Sequence, residues 1–407
     1  MVSLNDAEKL IELFSSCAIE LTPSRCVCVR NRHASCTACV DACPASALEV
    51  ADNRIVHHPE LCLQCGSCSN VCPTRAIHSL AAPLKPFAKT IEHHQQHNRA
   101  PLWICCQEHP LAKQDLSNLV VLPCLAHLDE VHYCLAAYYQ VPLHLLHNDC
   151  ALCSRSKASV VMEQTRSCFI ELAQQGNMSF SIEEHTETSA EESSYPLLSD
   201  SGGYSRRMFF TSMAASLKDI GISAAANALD PANDQINQSP TLAEQLSVAP
   251  GVLETCLPER NAVLLTVLFE VLQNNTHDAP HWLTSRFWGT VSIDESCQDC
   301  GMCTTFCPTG ALVHKSPTIP NTSLFMPLGK PDQKKGPNHE FRCSDCVQCH
   351  LCEDICPAQA IHVSSRVLTK DLFSLEPVKL KRHDSDTDFE SKTNRTARAI
   401  PPTDTMS

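Results

Sequence analysis

The sequence predicts a multidomain α+β protein in which two cysteine-rich modules flank a small α/β domain with a parallel sheet and a helical segment. Three observations predict this class. The 407 residues include 27 cysteines, and most of them fall in four short runs, two towards each end of the chain. Between the two pairs, short apolar segments alternate with helical patterns, which is typical of a parallel sheet. A strongly apolar helical pattern follows at 258–272.

Composition narrows the classes of function. The formal net charge of -14 argues against a protein that binds nucleic acid. No apolar run reaches the roughly 18 residues of a membrane helix, so membrane insertion is not expected. The first residues lack the basic and apolar regions of a signal peptide. Cysteines grouped as metal ligands then predict a reducing compartment, the cytoplasm.

The run at 62–73 carries the clearest chemical signal. Cys62, Cys65, Cys68 and Cys72 follow the pattern Cys-x2-Cys-x2-Cys-x3-Cys, and Pro73 comes next. The two-residue gaps allow three thiolates to wrap one corner of a 4Fe-4S cluster. In proteins with two clusters, the fourth cysteine ligates the other one. The run therefore predicts a partner run nearby.

The run at 26–44 is the partner, but its first position is irregular. Cys36, Cys39 and Cys43 have the expected spacing, and His33 stands where the first cysteine would be. The missing ligand is Cys28, Cys26 or the imidazole of His33. We favour Cys28, because a thiolate is the usual ligand and a longer loop can still reach the cluster. His33 is otherwise a solvated loop histidine.

These two runs, joined by a predicted hairpin at 47–57, resemble the bacterial 2(4Fe-4S) ferredoxin family over about 60 residues. The resemblance implies that each run supplies three ligands to one cluster and its last cysteine to the other. The first ligand set is then Cys28, Cys36, Cys39 and Cys72. The second is Cys62, Cys65, Cys68 and Cys43.

The same arrangement recurs near the other end of the chain, where both runs are complete. By the same exchange, the third ligand set is Cys297, Cys300, Cys303 and Cys356. The fourth is Cys346, Cys349, Cys352 and Cys307. Cys343 is in surplus. It either replaces Cys346 or is idle, and we favour the idle interpretation.

Five further cysteines follow three predicted strands in the middle of the chain: Cys105, Cys106, Cys124, Cys150 and Cys153. The carboxyl ends of parallel strands meet at one edge of a sheet, so these thiols are expected to converge. Their order resembles the small iron-sulfur subunit of methyl-viologen-reducing-type hydrogenases, which implies a 2Fe-2S cluster. The alternatives are another metal, a redox dithiol at Cys150 and Cys153, or thiols that only fill the core.

These observations divide the chain into six parts. They are an N-terminal 2(4Fe-4S) module with a leading helix at 1–85, a cysteine-rich α/β domain at 86–183, a flexible linker with an amphipathic helix at 184–240, a helical segment at 241–288, a C-terminal 2(4Fe-4S) module at 289–370, and a polar tail, expected to be disordered, at 371–407.

Four 4Fe-4S clusters would conduct single electrons, and the sequence contains neither G-x-G-x-x-G nor a Walker loop. No catalytic residue is predicted. We expect an electron-transfer protein or subunit that joins a redox enzyme of the hydrogenase or formate dehydrogenase type to an acceptor, with enzyme subunits or soluble electron carriers as partners. Two alternatives stay open: a cluster-fed thiol or sulfur oxidoreductase using the middle cysteines, and an accessory factor for assembly of a molybdenum or nickel enzyme.

Overall fold

The computed structural model describes residues 19–97, 101–113, 119–186, 253, 255–274, 281–314 and 338–383. The leading helix predicted at 5–18, residues 187–240 of the linker and amphipathic helix predicted at 184–240, and the tail beyond 383 lie outside the described residues. Residues 184–186, expected to belong to that linker, instead form the end of the strand Ile182–Thr186.

The N-terminal module is a ring of short elements around two cysteine loops. Its ends pair as antiparallel strands, with Ile19 opposite Ser79, and its centre is the predicted hairpin. Asp52 and Asn53 turn that hairpin with positive φ values of 49° and 57°, as a two-residue turn of this kind requires. The elements are β1 (Ile19–Leu21), α1 (Val27–Arg30), α2 (Ala38–Asp41), β2 (Leu48–Ala51), β3 (Arg54–His57), α3 (Ser67–Val71) and β4 (Ile77–Ser79).

The middle domain contains the predicted parallel sheet. Every pair of neighbouring strands in it is parallel, and the strands lie in the order Leu119–Leu122, Leu102–Cys106, Leu143–His147 and Ile182–Thr186. The central strand Leu-Trp-Ile-Cys-Cys is buried throughout, which explains its unbroken apolar sequence. The elements are α4 (Leu84–His97), β5 (Leu102–Cys106), β6 (Leu119–Leu122), α5 (Glu130–Tyr138), β7 (Leu143–His147), α6 (Ser156–Gln175) and β8 (Ile182–Thr186).

The C-terminal part begins with the apolar helix and repeats the plan of the first module. Within the described residues, no helix has both the length and the apolar character to cross a membrane. The elements are α7 (Glu259–Asn274), β9 (Trp282–Thr284), β10 (Thr290–Asp294), α8 (Met302–Thr305), β11 (Leu312–His314), β12 (His339–Phe341), α9 (Leu351–Asp354), β13 (Ile361–Ser364), β14 (Arg366–Leu368), α10 (Thr369–Phe373), β15 (Val378–Lys379) and β16 (Arg382–His383).

One prediction fails at the end of this module. The chain from 371 to 383 was expected to belong to a disordered tail, but it forms the end of α10 and two strands. Residues 378–379 pair with β12, and residues 382–383 pair with β10. Arg382 also donates a hydrogen bond to the carbonyl oxygen of Cys297, 3.1 Å away. The sequence did not predict these strands because they bury few apolar side chains and therefore lack an apolar pattern. Backbone hydrogen bonds hold them in place.

A buried network of charged groups joins the N-terminal module to the other two parts. Asp129 lies at the start of α5. Its Oδ1 is 2.7 Å from His132 Nδ1, and its Oδ2 is 3.3 Å from Nη2 of Arg75 in the first module. Burial alone would raise the pKa of Asp129, but the positive charges of His132 and Arg75 outweigh it and hold the pKa well below its usual range. Arg260 of α7 donates to the carbonyl oxygens of Asn70 and Cys72. The network fixes the cysteine loops relative to the sheet.

Candidate metal centres

The thiols of Cys43, Cys62, Cys65 and Cys68 line one recess, together with apolar residues such as Ile19 and Leu48. Burial, then the neighbouring thiols, raises the pKa of Cys68 well above its ordinary value. The four thiols of the second ligand set therefore border one common recess.

Backbone amides around this recess point at the sulfurs. Gln64, with φ +54°, donates its N–H to Cys62 Sγ at 3.4 Å, and Ala47 donates to Cys43 Sγ at 3.2 Å. The same contacts occur in the C-terminal module, where Asp299 donates to Cys297 Sγ at 3.4 Å and Ala360 donates to Cys356 Sγ at 3.3 Å. Such hydrogen bonds stabilise negative charge on sulfur and tune the potential of a cluster held there.

The first ligand set also comes together. Burial raises the pKa of Cys39, and the thiols of Cys72, Cys26 and Cys36 contribute to the rise. Cys28 hydrogen-bonds to Cys26, and this contact lowers the pKa of Cys28 while it raises that of Cys26. Cys28 also neighbours Cys36 and Cys39. Both Cys26 and Cys28 therefore lie beside this set, and the choice of Cys28 as its ligand stays a prediction.

His33 differs from both cysteines in its surroundings. Its side chain is exposed, and its ring accepts a hydrogen bond from the neighbouring Arg32. The backbone N–H of His33 is held by the side chain of Asn31 at 2.9 Å. This environment fits the solvated loop histidine rather than a cluster ligand.

The C-terminal module assembles both of its sets in the same way. Burial raises the pKa of Cys303 to about 12, with further contributions from Cys297, Cys300 and Cys356. Burial also raises the pKa of Cys352 well above its ordinary value, with contributions from Cys349, Cys346 and Cys307. The neighbours of each central thiol are therefore the other three members of its predicted set.

Cys343 is the surplus cysteine of the C-terminal module, and its contacts differ from those of the predicted ligands. It is buried, and its thiol donates to the carbonyl oxygen of Gly289 at 3.5 Å. Burial also raises the pKa of Cys343. These contacts are typical of a core cysteine, and the idle interpretation of Cys343 stays a prediction.

The two modules bring one set from each close together. Cys36 and Cys349 pack against the same small apolar cluster of Val27, Leu351 and Ile355. Cys36 is also near enough for its negative charge to raise the pKa of Cys349. The first and fourth ligand sets are therefore neighbours across the contact between the modules.

At the carboxyl edge of the sheet, four of the five predicted cysteines form a continuous line. Burial raises the pKa of Cys124 to about 12, and nearby Cys65 and Cys106 contribute. Burial raises the pKa of Cys150 to about 11, with contributions from Cys106 and Cys153. The line thus reaches from the second ligand set of the N-terminal module to the end of β7.

The expectation that all five middle cysteines converge is wrong for Cys105. Successive side chains of a strand point to opposite faces, so Cys105 turns away from Cys106. It packs instead with Trp103, Leu119 and Leu146 on the other face of the sheet. Cys105 is a core residue in this structure.

His127, which sequence reasoning missed, fixes the middle domain against the loop of the second ligand set. Its Nε2 donates to the carbonyl oxygen of Gln64 at 3.0 Å, and its Nδ1 accepts from the hydroxyl of Ser79 at 2.7 Å. Burial lowers the pKa of His127 to about 4, so the ring is neutral. A Cβ on Gly66 would lie 2.3 Å from this ring. Glycine is therefore required at position 66 for two reasons: the positive φ and the close contact with the His127 ring.

Two groups of histidine and carboxylate side chains were also missed. Asp299, His314 and His339 meet in the C-terminal module, and His144, Glu183 and His185 meet on the sheet. In the first group, His314 and His339 lie on opposed strands and Asp299 lies on a cysteine loop. In the second group, His144 on β7 lies beside β8, which carries Glu183 and His185. Only strand register, which the spacing of residues did not reveal, brings them together.

The chemistry of the four ligand sets fits iron-sulfur clusters. Thiols whose pKa is raised by burial are poor free nucleophiles at neutral pH, whereas a bound metal deprotonates a coordinating thiol. Runs that supply three thiols and a fourth before proline, with amides directed at the sulfurs, are typical of a 4Fe-4S cluster. Structural zinc sites use paired cysteines instead.

The family model described as a 4Fe-4S dicluster domain matches residues 34–76 and residues 296–360. The first match begins after Cys28 and includes the regular part of both N-terminal runs, while the second includes both complete C-terminal runs. No curated protein and no solved structure matches the chain. The two matches support 4Fe-4S modules of the ferredoxin type at both places and suggest an iron-sulfur electron-transfer role.

Proposed function

We propose that this protein carries single electrons through four 4Fe-4S clusters between a redox enzyme and an acceptor. The observation that supports the proposal is that the thiols of each proposed set neighbour one another, with both Cys26 and Cys28 beside the first set. When bound, each cluster supplies a one-electron redox step at a potential set by its surroundings. The chain itself supplies thiolates, amide hydrogen bonds and fixed spacing.

The contacts between sets give them a linear order. The third and fourth sets share the C-terminal module, and Cys349 of the fourth set neighbours Cys36 of the first. Cys39 of the first set acts on the pKa of Cys68 in the second. Cys65 of the second set then neighbours Cys124 at the edge of the sheet. We propose that electrons follow this order, in either direction.

Both ends of this order are accessible. Cys300 of the third set is exposed. At the other end, Leu152 lies between Cys150 and Cys153 with 86% of its surface exposed. An exposed apolar side chain beside a redox site is a suitable contact for a partner protein. A donor and an acceptor can thus reach opposite ends of the chain of thiol sets.

We further propose a metal centre, a 2Fe-2S cluster or another metal, at Cys106, Cys124, Cys150 and Cys153. Backbone amides face two of these sulfurs: Arg155 donates to Cys153 Sγ at 3.4 Å, and Ala126 donates to Cys124. This pattern matches that of the four cysteine sets. A redox dithiol at Cys150 and Cys153 has less support, because burial raises the pKa of Cys150 to about 11 and an attacking thiol needs its thiolate form.

The proposed partners are subunits of a redox enzyme of the hydrogenase or formate dehydrogenase type, or soluble electron carriers, as the resemblances imply. The proposed compartment is a reducing cytoplasm. Within the described residues no two cysteines form a disulfide, which suits such a compartment.

Anaerobic titration of the purified holoprotein with a calibrated reductant tests the proposal. Four clusters are expected to take up about four electrons per chain, and a fifth centre would take up more. The reduced protein is expected to pass these electrons to an added acceptor dye. Uptake of one electron or none by protein that holds its full iron content would refute the conduit.

A further inference from the structure

Asp299, His314 and His339 form a compact group beside the third ligand set. Asp299 lies between Cys297 and Cys300, and the two histidines face each other across the β11–β12 pair. His314 Nε2 is 3.4 Å from Asp299 Oδ1, and His339 Nδ1 is 3.1 Å from the same oxygen. The two ring centroids are 5.1 Å apart, with the rings at 74°.

We infer that these three residues bind a divalent transition-metal ion, separate from the iron-sulfur clusters. Two imidazoles and one carboxylate are the ligands that Zn²⁺ and Fe²⁺ take in sites with an open position. The inference adds to the proposed function and does not depend on it, because none of the three is a thiol.

The separations suit a metal ion without rearrangement. Bonds of about 2.0–2.1 Å in tetrahedral geometry place ligand atoms about 3.3–3.4 Å from one another. The two nitrogen-oxygen separations, 3.1 and 3.4 Å, are close to that value. His314 keeps 26% of its side chain exposed, so the group lies near the surface of the protein.

The two nitrogens that face Asp299 make no hydrogen bond with any described residue, although both are buried. His339 is only 1% exposed. Buried polar atoms without such bonds are costly unless another partner satisfies them. Asn338 holds the carboxylate in place: its backbone N–H donates to Asp299 Oδ1, the oxygen that faces the histidines, at 3.1 Å, and its side-chain amide donates to Oδ2 at 3.5 Å. Support of this kind is typical of metal ligands.

The N-terminal module provides an internal comparison, because its equivalent positions hold no ligand. His314 is seven residues after Cys307, as Val50 is seven after Cys43. His339 is seven before Cys346, as Ile55 is seven before Cys62. Val50 and Ile55 are also directly opposed in their hairpin. Ser35 stands in place of Asp299, before Cys36. The N-terminal module therefore folds with an apolar pair at these two positions. A histidine pair is not needed for this kind of module to fold.

The other histidine group is a weaker candidate. His185 Nε2 and His144 Nδ1 already hydrogen-bond to each other at 3.0 Å, and Glu183 is half exposed. It can still bind added metal, so the test compares variants rather than relying on one total.

The experiment is an anaerobic Zn²⁺ titration of the holoprotein, with bound zinc, iron and sulfide counted after removal of free metal. The test variant is His314→Val with His339→Ile, which copies the pair of the N-terminal module. The control is His362→Ala, in the same module, where the ring pairs with Asp294 at 3.3 Å. X-ray absorption at the zinc edge identifies the ligands in each sample.

We expect the wild type and His362→Ala to bind one more zinc per chain than the test variant, with equal iron and sulfide in all three. The zinc lost in the test variant is expected to have nitrogen and oxygen ligands near 2.0–2.1 Å. Equal zinc in the wild type and the test variant would overturn the inference. So would a difference spectrum dominated by sulfur near 2.3 Å. Equal iron with lost zinc leaves the conduit proposal intact, so the two can fail separately.

Discussion

Asp354 of the C-terminal module accepts two hydrogen bonds from Ser35 of the N-terminal module, one from the backbone N–H at 2.8 Å and one from the hydroxyl at 2.9 Å. Ser35 precedes Cys36, and Asp354 lies between Cys352 and Cys356. The contact therefore joins the loops of two ligand sets. Arg30 adds a second link by donating to the carbonyl oxygen of Phe306 at 3.2 Å. The junction fixes the separation on which transfer between modules depends.

Asp354→Ala is expected to loosen this junction. Loss of two hydrogen bonds to a partly exposed carboxylate is expected to cost about 1–2 kcal/mol. The spin-spin interaction between modules in the EPR spectrum of the reduced holoprotein should weaken, while the iron content stays the same. Asp345→Ala, which removes the same charge beside Arg342, is the control and should leave the interaction unchanged. Identical spectra for both variants would show that the contact does not set the spacing.

Cys28→Ser is expected to remove one cluster. Loss of that cluster should lower the iron content from about sixteen to about twelve atoms per chain, since each cluster holds four iron atoms. Cys26→Ser and His33→Ala should keep all of the iron, because Cys26 donates to Cys28 and His33 is exposed. Iron and sulfide analysis of the three variants is the measurement. Loss of iron from Cys26→Ser but not from Cys28→Ser would reassign the ligand.

Gly66→Ala is expected to disturb the contact between the second ligand set and the middle domain. The new Cβ would lie 2.3–2.6 Å from atoms of the His127 ring, which is held at both nitrogens. Gly301→Ala is the matched control. Gly301 has a similar φ, +71° against +80°, but its nearest side-chain neighbour is at 3.8 Å.

Both alanines carry the strain of a left-handed backbone, about 1–2 kcal/mol. Only Gly66→Ala adds an overlap, with a further expected cost of about 1–3 kcal/mol. Denaturant midpoints of the two holoproteins measure the difference. Equal destabilisation would mean that His127 moves aside freely.

Asp129→Ala is expected to destabilise the protein by about 3–5 kcal/mol, because it leaves the buried charges of Arg75 and His132 without their partner. Glu163→Ala is the control, since Glu163 pairs with Arg166 at the surface and should cost at most about 1 kcal/mol. Chemical denaturation followed by circular dichroism compares the two. A similar small effect for both would show that the buried network contributes little.

The cysteine loops and the parallel sheet could be predicted because their signals are local. The spacing of Cys297, Cys300 and Cys303 places three thiols on one tight loop, and the apolar run at 102–106 identifies a buried strand. The irregular first run was also interpretable, since only a few residues could supply its missing ligand. The choice of Cys28 as that ligand stays a prediction.

What could not be predicted depends on register and on contacts between distant segments. Cys105 and Cys106 are adjacent in sequence, yet they point to opposite faces, and only the placement of β5 decides which one meets Cys124. His314 and His339 are brought together by pairing across a long insertion. The short strands at 378–383 have polar sequences, and their order comes from backbone pairing with strands far earlier in the chain.

The most direct test of the account is iron and sulfide analysis of anaerobically purified protein, with EPR of the reduced form. Four 4Fe-4S clusters predict about sixteen iron atoms and about as many sulfides per chain. Additional iron or a 2Fe-2S signal that disappears in Cys124→Ser would identify the middle centre. Iron for only two clusters, about eight atoms, would contradict the claim that all four converging sets of cysteines hold clusters.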